Sequence, residues 1–171
     1  MAIDTHIKFD GVEGESTHQD HKGEIEVLSW SWGISNSSSL AYGGGSGGSS
    51  SGGSGGGSGL GKALPQEFHF MHHYDKASPV LAKKCAQGVH FPTVVITARK
   101  SGEGQKDFFK ITMKEVFISS VSNSASSGGD MAESVSMSYG FVETSYKAQD
   151  AKGVLGGEVK FSWDVKTTKI A

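Results

Sequence analysis

Apolar and polar side chains alternate with a period of two along most of this chain. Ile3, Thr5, Ile7 and Phe9 fall on one side, with Asp4, His6 and Lys8 on the other, the pattern of a strand with one buried face. Glu24 to Gly33 predicts a second strand, with Ile25 and Val27 on one side and Trp30 and Trp32 on the other. Its apolar set changes parity at Val27-Leu28, which predicts a bulge or a strand leaving one sheet for another. Leu64 to Tyr74 reads as strand, with Phe68, Phe70 and His72 on one face.

One helix interrupts the alternation. Ser78 stands where an N-cap belongs and Pro79 follows at the first helical position, where its missing N–H costs nothing. Val80, Leu81, Ala82, Cys85 and Ala86 supply an apolar face, and Gly88 ends the helix, because glycine takes up left-handed backbone freely. Strands then resume. Val94, Ile96 and Ala98 alternate with Thr93, Val95 and Thr97; Phe109, Ile111, Met113 and Phe117 run through Lys106 to Val121. Val135, Met137, Tyr139 and Phe141 alternate with Ser134, Ser136, Ser138 and Gly140, and Val159, Phe161, Trp163 and Val165 close the chain. About eight strands and one helix, without strand–helix–strand alternation, predict a mainly β domain: an antiparallel two-sheet β-barrel or sandwich with one short flanking α-helix.

Composition bounds the functional classes. The 171 residues suit a single domain spanning 1–171. A Gly/Ser tract within residues 36–62 offers almost nothing to bury, so it predicts a flexible loop inside that domain. Formal net charge is −2, and the scattered Lys and Arg leave no basic footprint for nucleic acid or anionic membrane. Cys85 is the lone cysteine; no intrachain disulfide is possible, and a buried thiol packed as a small hydrophobe is expected. Met1 to His6 lacks the cationic and apolar regions of a signal peptide, and no apolar run reaches the roughly 18–20 residues of a membrane span. Cytoplasmic synthesis, with any export by a route that accepts folded protein, is the expectation.

Tempting motifs lose their force in context. Gly44-Gly45-Ser46-Gly47-Gly48 fits a nucleophile elbow, and Gly43, Gly45 and Gly48 fit a dinucleotide fingerprint. Both patterns need a strand before and a helix after, and here more Gly and Ser flank them. Gly56 to Lys62 approaches a P-loop, but Ala63 replaces the magnesium-binding hydroxyl residue. His69, His72 and His73 cannot share one ion on a strand, since His72 and His73 point to opposite faces and His69 lies roughly 13 Å from His73. His6, His18, His21 and His90 are dispersed in sequence. No Ser/His/Asp set and no carboxylate pair stands out, so no catalytic residue, cofactor or metal is predicted.

Small hydroxyls occupy strand positions where Lys and Glu are ordinary: Ser29 and Ser31 opposite Trp30 and Trp32, then Ser134, Ser136 and Ser138 opposite Val135 and Met137. A short, uncharged wall of that kind suits close approach by another subunit or a non-adhesive channel. A monomeric carbohydrate-recognising sandwich, the alternative for such a β domain, would need exposed aromatics, and Trp30, Trp32 and Trp163 all fall on core-facing positions.

Several segments, in order, resemble the haemolysin-coregulated protein (Hcp) family of type VI secretion. They are Asp4-x-x-Ile7-Lys8, Val12-x-Gly14-Glu15-Ser16, His21-x-x-Glu24-Ile25-x-Val27-Leu28-Ser29-Trp30-Ser31-Trp32-Gly33, Asp75-Lys76-Ala77-Ser78-Pro79, Cys85-x-x-Gly88, Lys114 to Ser122 and Val159 to Asp164. The match runs nearly end to end; the Gly/Ser tract is the departure. The resemblance implies a phage-tail-tube-like β-barrel in homohexameric rings. Those rings would stack into the inner tube of a contractile apparatus, with sheath, spike and small effectors as partners and secretion on firing. Under it, Ser29, Ser31, Ser134, Ser136 and Ser138 become lumen and cargo candidates. Asn36, Leu40, Tyr42, Leu60 and Lys62 become candidates for contact with the adjacent ring or subunit.

Overall fold

The computed structural model describes residues 2–36, 61–102 and 104–171. Most of the Gly/Ser tract, with Leu40, Tyr42 and Leu60, lies outside them. The described elements, in chain order, are β1 (Ile3–Phe9), β2 (Ile25–Val27), β3 (Ser29–Ser31), β4 (Ile34–Asn36), β5 (Ala63–Pro65) and β6 (Phe68–His73). They continue with α1 (Ser78–Gln87), β7 (Phe91–Lys100), β8 (Asp107–Ser124), β9 (Ala132–Ser138), β10 (Phe141–Gln149), β11 (Leu155–Asp164) and β12 (Lys169–Ile170).

Two antiparallel layers face each other. One runs β12-β11-β10-β8-β7-β1-β2, and the other runs β3-β6-β9 and joins the same β8. At 18 residues, or about 60 Å extended, β8 is too long for one layer. Its first half pairs with β7 and β10, and its second half with β9. The crossing falls at Glu115, which adopts φ +52°. Met113 and Val116 are both fully buried although two residues separate them, because the kink shifts the inward parity by one. Phe117, expected with Phe109, Ile111 and Met113, is for that reason turned outward and 42% exposed.

The second crossing is the parity change at Val27-Leu28. Val27 pairs with Thr5 of β1, whereas Ser29 pairs with Met71 of β6. Leu28 N donates to Met71 O at 2.8 Å between them. The two layers thus form a flattened, incompletely closed barrel. The predicted Leu64–Tyr74 strand divides as well: β5 pairs with β4 in a separate two-stranded sheet, and β6 enters the second layer.

Between the layers lie Ile7, Phe9, Val94, Ile96, Ile111, Met113, Val142 and Trp163 from one side and Phe68, Phe70, Val135 and Met137 from the other, all buried. Trp30 stacks between Phe68 and Phe109, with ring centroids 5.7 and 5.6 Å away. Helix α1 packs against β8. Ala77, not Ser78, is its N-cap; the Ser78 hydroxyl instead accepts from Asp75 N, and Asp75 Oδ1 accepts from Ala77 N. Gly88 ends the helix at φ +63° as expected. Only Leu81 of the apolar set is fully buried; Ala82 and Ala86 are exposed and Cys85 is half-buried rather than enclosed.

Residues 12–24 form a strap across the outer face of β1 and β7. Backbone bonds hold it: Gly14 N to Gly23 O (2.7 Å), Gly23 N to Ser16 O (2.8 Å) and Ser16 N to Glu24 O (3.0 Å). A Cβ at Gly14 would fall on the Glu24 carbonyl, which is backbone and cannot step aside. Gly14→Ala is expected to destabilise the fold by roughly 2–3 kcal/mol, read as a lowered midpoint in thermal or denaturant unfolding. A midpoint equal to that of the parent would contradict this packing.

Candidate functional site

The outer face of the second layer gathers the serines. Ser29 pairs with Met71, which pairs with Ser134, which pairs with Ser122; one step along, Ser31, His69, Ser136 and Ser120 form a parallel row. Ser138 continues β9 on the same side. All five predicted serines therefore share one face, joined by Ser120 and Ser122 of β8. Neither row contains a carboxylate, ammonium or guanidinium group. Ser29, Ser31 and Ser138 are exposed, and Ser134 and Ser136 half-buried.

The face owes its alternation to what lies behind it. Trp30, Phe68, Phe70, Val135 and Met137 take the inward parity, so the residues between them must point out. His69 Nδ1 and Ser136 Oγ are hydrogen-bonded at 2.7 Å, tying β6 to β9 on the outer side. Ser29, Ser31, His69, Met71 and Ser134 line a shallow cavity of about 220 Å³.

Behind the face sits a buried pair that the sequence pattern left unnoticed. His72 and Glu133 are both wholly buried, with His72 Nε2 2.9 Å from Glu133 Oε1. Glu133 shares the inward parity of Val135 and Met137, and His72 that of Phe68 and Phe70. Equal parity on strands that pair was the available signal. His73 faces outward, as expected from its opposite parity. At the end of the face Trp32 Nε1 donates to Tyr139 Oη (2.5 Å), which donates to Gln66 O (2.8 Å). Trp30 and Trp32 are packed against the core, as their parity predicts, and the exposed aromatics among the described residues are Tyr74, Phe117 and Tyr146 instead.

Of the other candidates, Asn36 ends β4 and Lys62 precedes β5, both exposed. Both border a cavity of about 470 Å³ that also touches Leu64, Trp163 and Ile170. Among the described residues no group of three or more His, Cys, Asp or Glu side chains is placed to hold a metal, and no helix is long and apolar enough to cross a membrane. His6, His18 and His21, dispersed in sequence, are brought together by the strap, with ring centroids 4.6–5.5 Å apart.

A mainly antiparallel, two-layer β fold with one flanking helix and a small-hydroxyl outer face defines a structural β-barrel class. Comparison with known proteins narrows it. The family model described as "Type VI secretion system effector, Hcp" matches residues 6–146. Protein hcp1 of Pseudomonas aeruginosa is 40% identical over 169 residues, covering 97% of each chain. A solved structure described as a type six secretion system protein superposes with a TM-score of 0.88 at 31% identity, over 99% of this chain and all of the other. Hcp1 from Salmonella typhimurium gives 0.78 at 33% identity over the whole of both chains. The chain belongs to the Hcp family of type VI secretion.

The buried pair gives a direct test of what holds the face in place. Removing one partner strands the other without compensation, so Glu133→Ala is expected to cost roughly 3–5 kcal/mol. Replacing both, as His72→Leu with Glu133→Met, should recover most of the loss in the same unfolding measurement. A single substitution that leaves stability unchanged would show that the pair is not what fixes β6 to β9.

Proposed function

We propose that this chain is the subunit of a homohexameric ring that stacks into the inner tube of a type VI secretion apparatus, with its serine face lining the lumen. The observation carrying this reading is the shared face of Ser29, Ser31, Ser134, Ser136 and Ser138. An uncharged wall of short side chains gives passengers few fixed ion pairs and leaves them room. Small effectors then ride inside, and the tube leaves the cell with its cargo when the apparatus fires. Spike and sheath are the remaining partners.

Ring closure requires a heterologous contact, in which two different patches of one subunit meet across each junction. The β10–β11 hairpin supplies one patch. Tyr146 and Val159 face each other across it, 48% and 70% exposed, and Val154 near its tip is 61% exposed. Such apolar side chains gain by being covered. The hairpin of β4 and β5, with Asn36 and Lys62 at its ends and Leu40, Tyr42 and Leu60 beyond, is assigned to the neighbouring ring or subunit.

Electron microscopy of the pure protein should show hollow rings; a chain that sediments as a monomer at high concentration would overturn the assembly. Ser31→Gln or Ser136→Gln should leave rings intact and cut effector retention in co-purification several-fold. Unchanged retention would remove the serine face from the lumen. Deleting Gly43 to Gly61 should weaken stacking more than ring closure, and normal tubes from that deletion would refute the role given to the segment.

A further inference from the structure

Three histidines and an arginine pack together between the strap and the sheet, away from the serine face and from the hairpins assigned to neighbours. His6, on the outer side of β1, is only 3% exposed, and its Nδ1 has no hydrogen-bond partner. The His21 ring stacks on it nearly parallel at 4.6 Å, and His18 lies tilted against both. Arg99 of β7, 6% exposed, reaches Asp20 of the strap (2.8 Å) and Asp107 of β8 (2.8 Å). His21 Nδ1 meets Glu24 at 2.9 Å and its Nε2 meets Asp107 at 3.1 Å. The strap is thus fastened to the sheet by one ionic cluster whose central side chain, His6, lacks a counterion of its own.

The geometry points to an acid-sensitive clasp: protonation of His6 releases the 12–24 strap from the outer face of β1 and β7 while the two-layer core stays folded. Every element packed around His6 contributes a charged or titratable group. His18, Asp20 and His21 come from the strap, Glu24 from its end, Glu26 from the paired position on β2 and Arg99 from β7. Asp107 comes from β8, and Asp4 and Lys8 from β1 itself. Thr97, paired with His6 on β7, adds a buried hydroxyl without a partner. The balance beside the ring is unfavourable to a new positive charge. Burial comes first, then His21 and His18, with Arg99 adding to them and Asp4 opposing; together they lower the His6 pKa from 6.5 to about 4. A cavity of about 410 Å³, lined by Asp4, His6, His18, Glu26 and His73 among others, opens onto the cluster and admits water and protons.

The sign follows from linkage. An imidazole whose folded pKa is depressed binds its proton more readily once released, so acid favours the released form. The neutral ring supports the closed strap fully above about pH 6.5, and that support fades as pH falls towards about 4. Asp20 and Asp107 respond at lower pH. Burial alone would raise Asp107, but hydrogen bonds from Arg99 and His21 hold it below its ordinary value, and Arg99 does the same for Asp20. The ion pairs of Arg99 with these two carboxylates survive while His6 takes up its proton.

Hydrogen-exchange mass spectrometry on the full chain between pH 7.5 and 4.5, corrected for intrinsic exchange, tests this. Strap peptides containing Gly14, Ser16 and Gly23 should lose protection by on the order of a hundredfold, while peptides from β8 and β9 hold theirs. His6→Gln should reduce the strap's loss to a few-fold. Strap protection that is constant with pH, or an equal loss in His6→Gln, would overturn the clasp. NMR titration of the His6 ring in the unmodified protein gives an independent reading that survives misfolding of the variant: a midpoint well below 6 supports the proposal, and one near 6.5 refutes it.

Discussion

A sheet can bury only one set of alternate side chains, and in this molecule two lengths of backbone must serve both layers. β8 passes from the β7–β10 layer to β9 at Glu115, and the β2–β3 segment passes from β1 to β6 at Leu28. Each crossing flips which residues point inward. Without the kink at Glu115, Val116 and Ile118 would be turned out and Phe117 in, and the second layer would lose its seat. The core, the helix packed on β8 and the serine face all follow from those two shifts of one residue.

The outer surfaces of the two layers have opposite chemistry for a shared structural reason. On the second layer the outward positions carry mostly hydroxyls, with Met71, Phe117 and the imidazoles of His69 and His73, and their polar demands are met by neighbours or solvent. On the first, the strap covers β1 and β7, so the groups beneath it are buried and must find partners within the protein. That requirement produced the Arg99–Asp20–Asp107–His21 cluster. The uncharged surface and the ionic cluster lie on opposite layers.

The buried His72–Glu133 pair stands between these surfaces. Burying both groups is costly unless they are paired, and they meet only in the register that β6 and β9 adopt, on which the serine rows on the far side also depend. A slip of one residue would carry every serine inward and every core side chain outward.

Much of this was legible in the residues themselves. Period-two alternation located the strands, the parity change at Val27-Leu28 announced a sheet crossing, and Gly88 marked the helix end, because each depends on local backbone geometry. The serine positions followed from the same alternation, and the resemblance in motif order pointed to the family. Other features needed the fold. Ser78 looked like a cap, but Asp75 and Ala77 took over the helix entrance once the preceding turn was in place. Phe117 was assigned inward because a left-handed Glu115 leaves no mark in a hydrophobic pattern. His6, His18 and His21 were separate letters until the strap closed, and Glu133 was one acid among many until β6 and β9 paired. Periodicity records which side of a strand a residue faces; which distant residue meets it there depends on strand pairing, and pairing is a property of the whole chain.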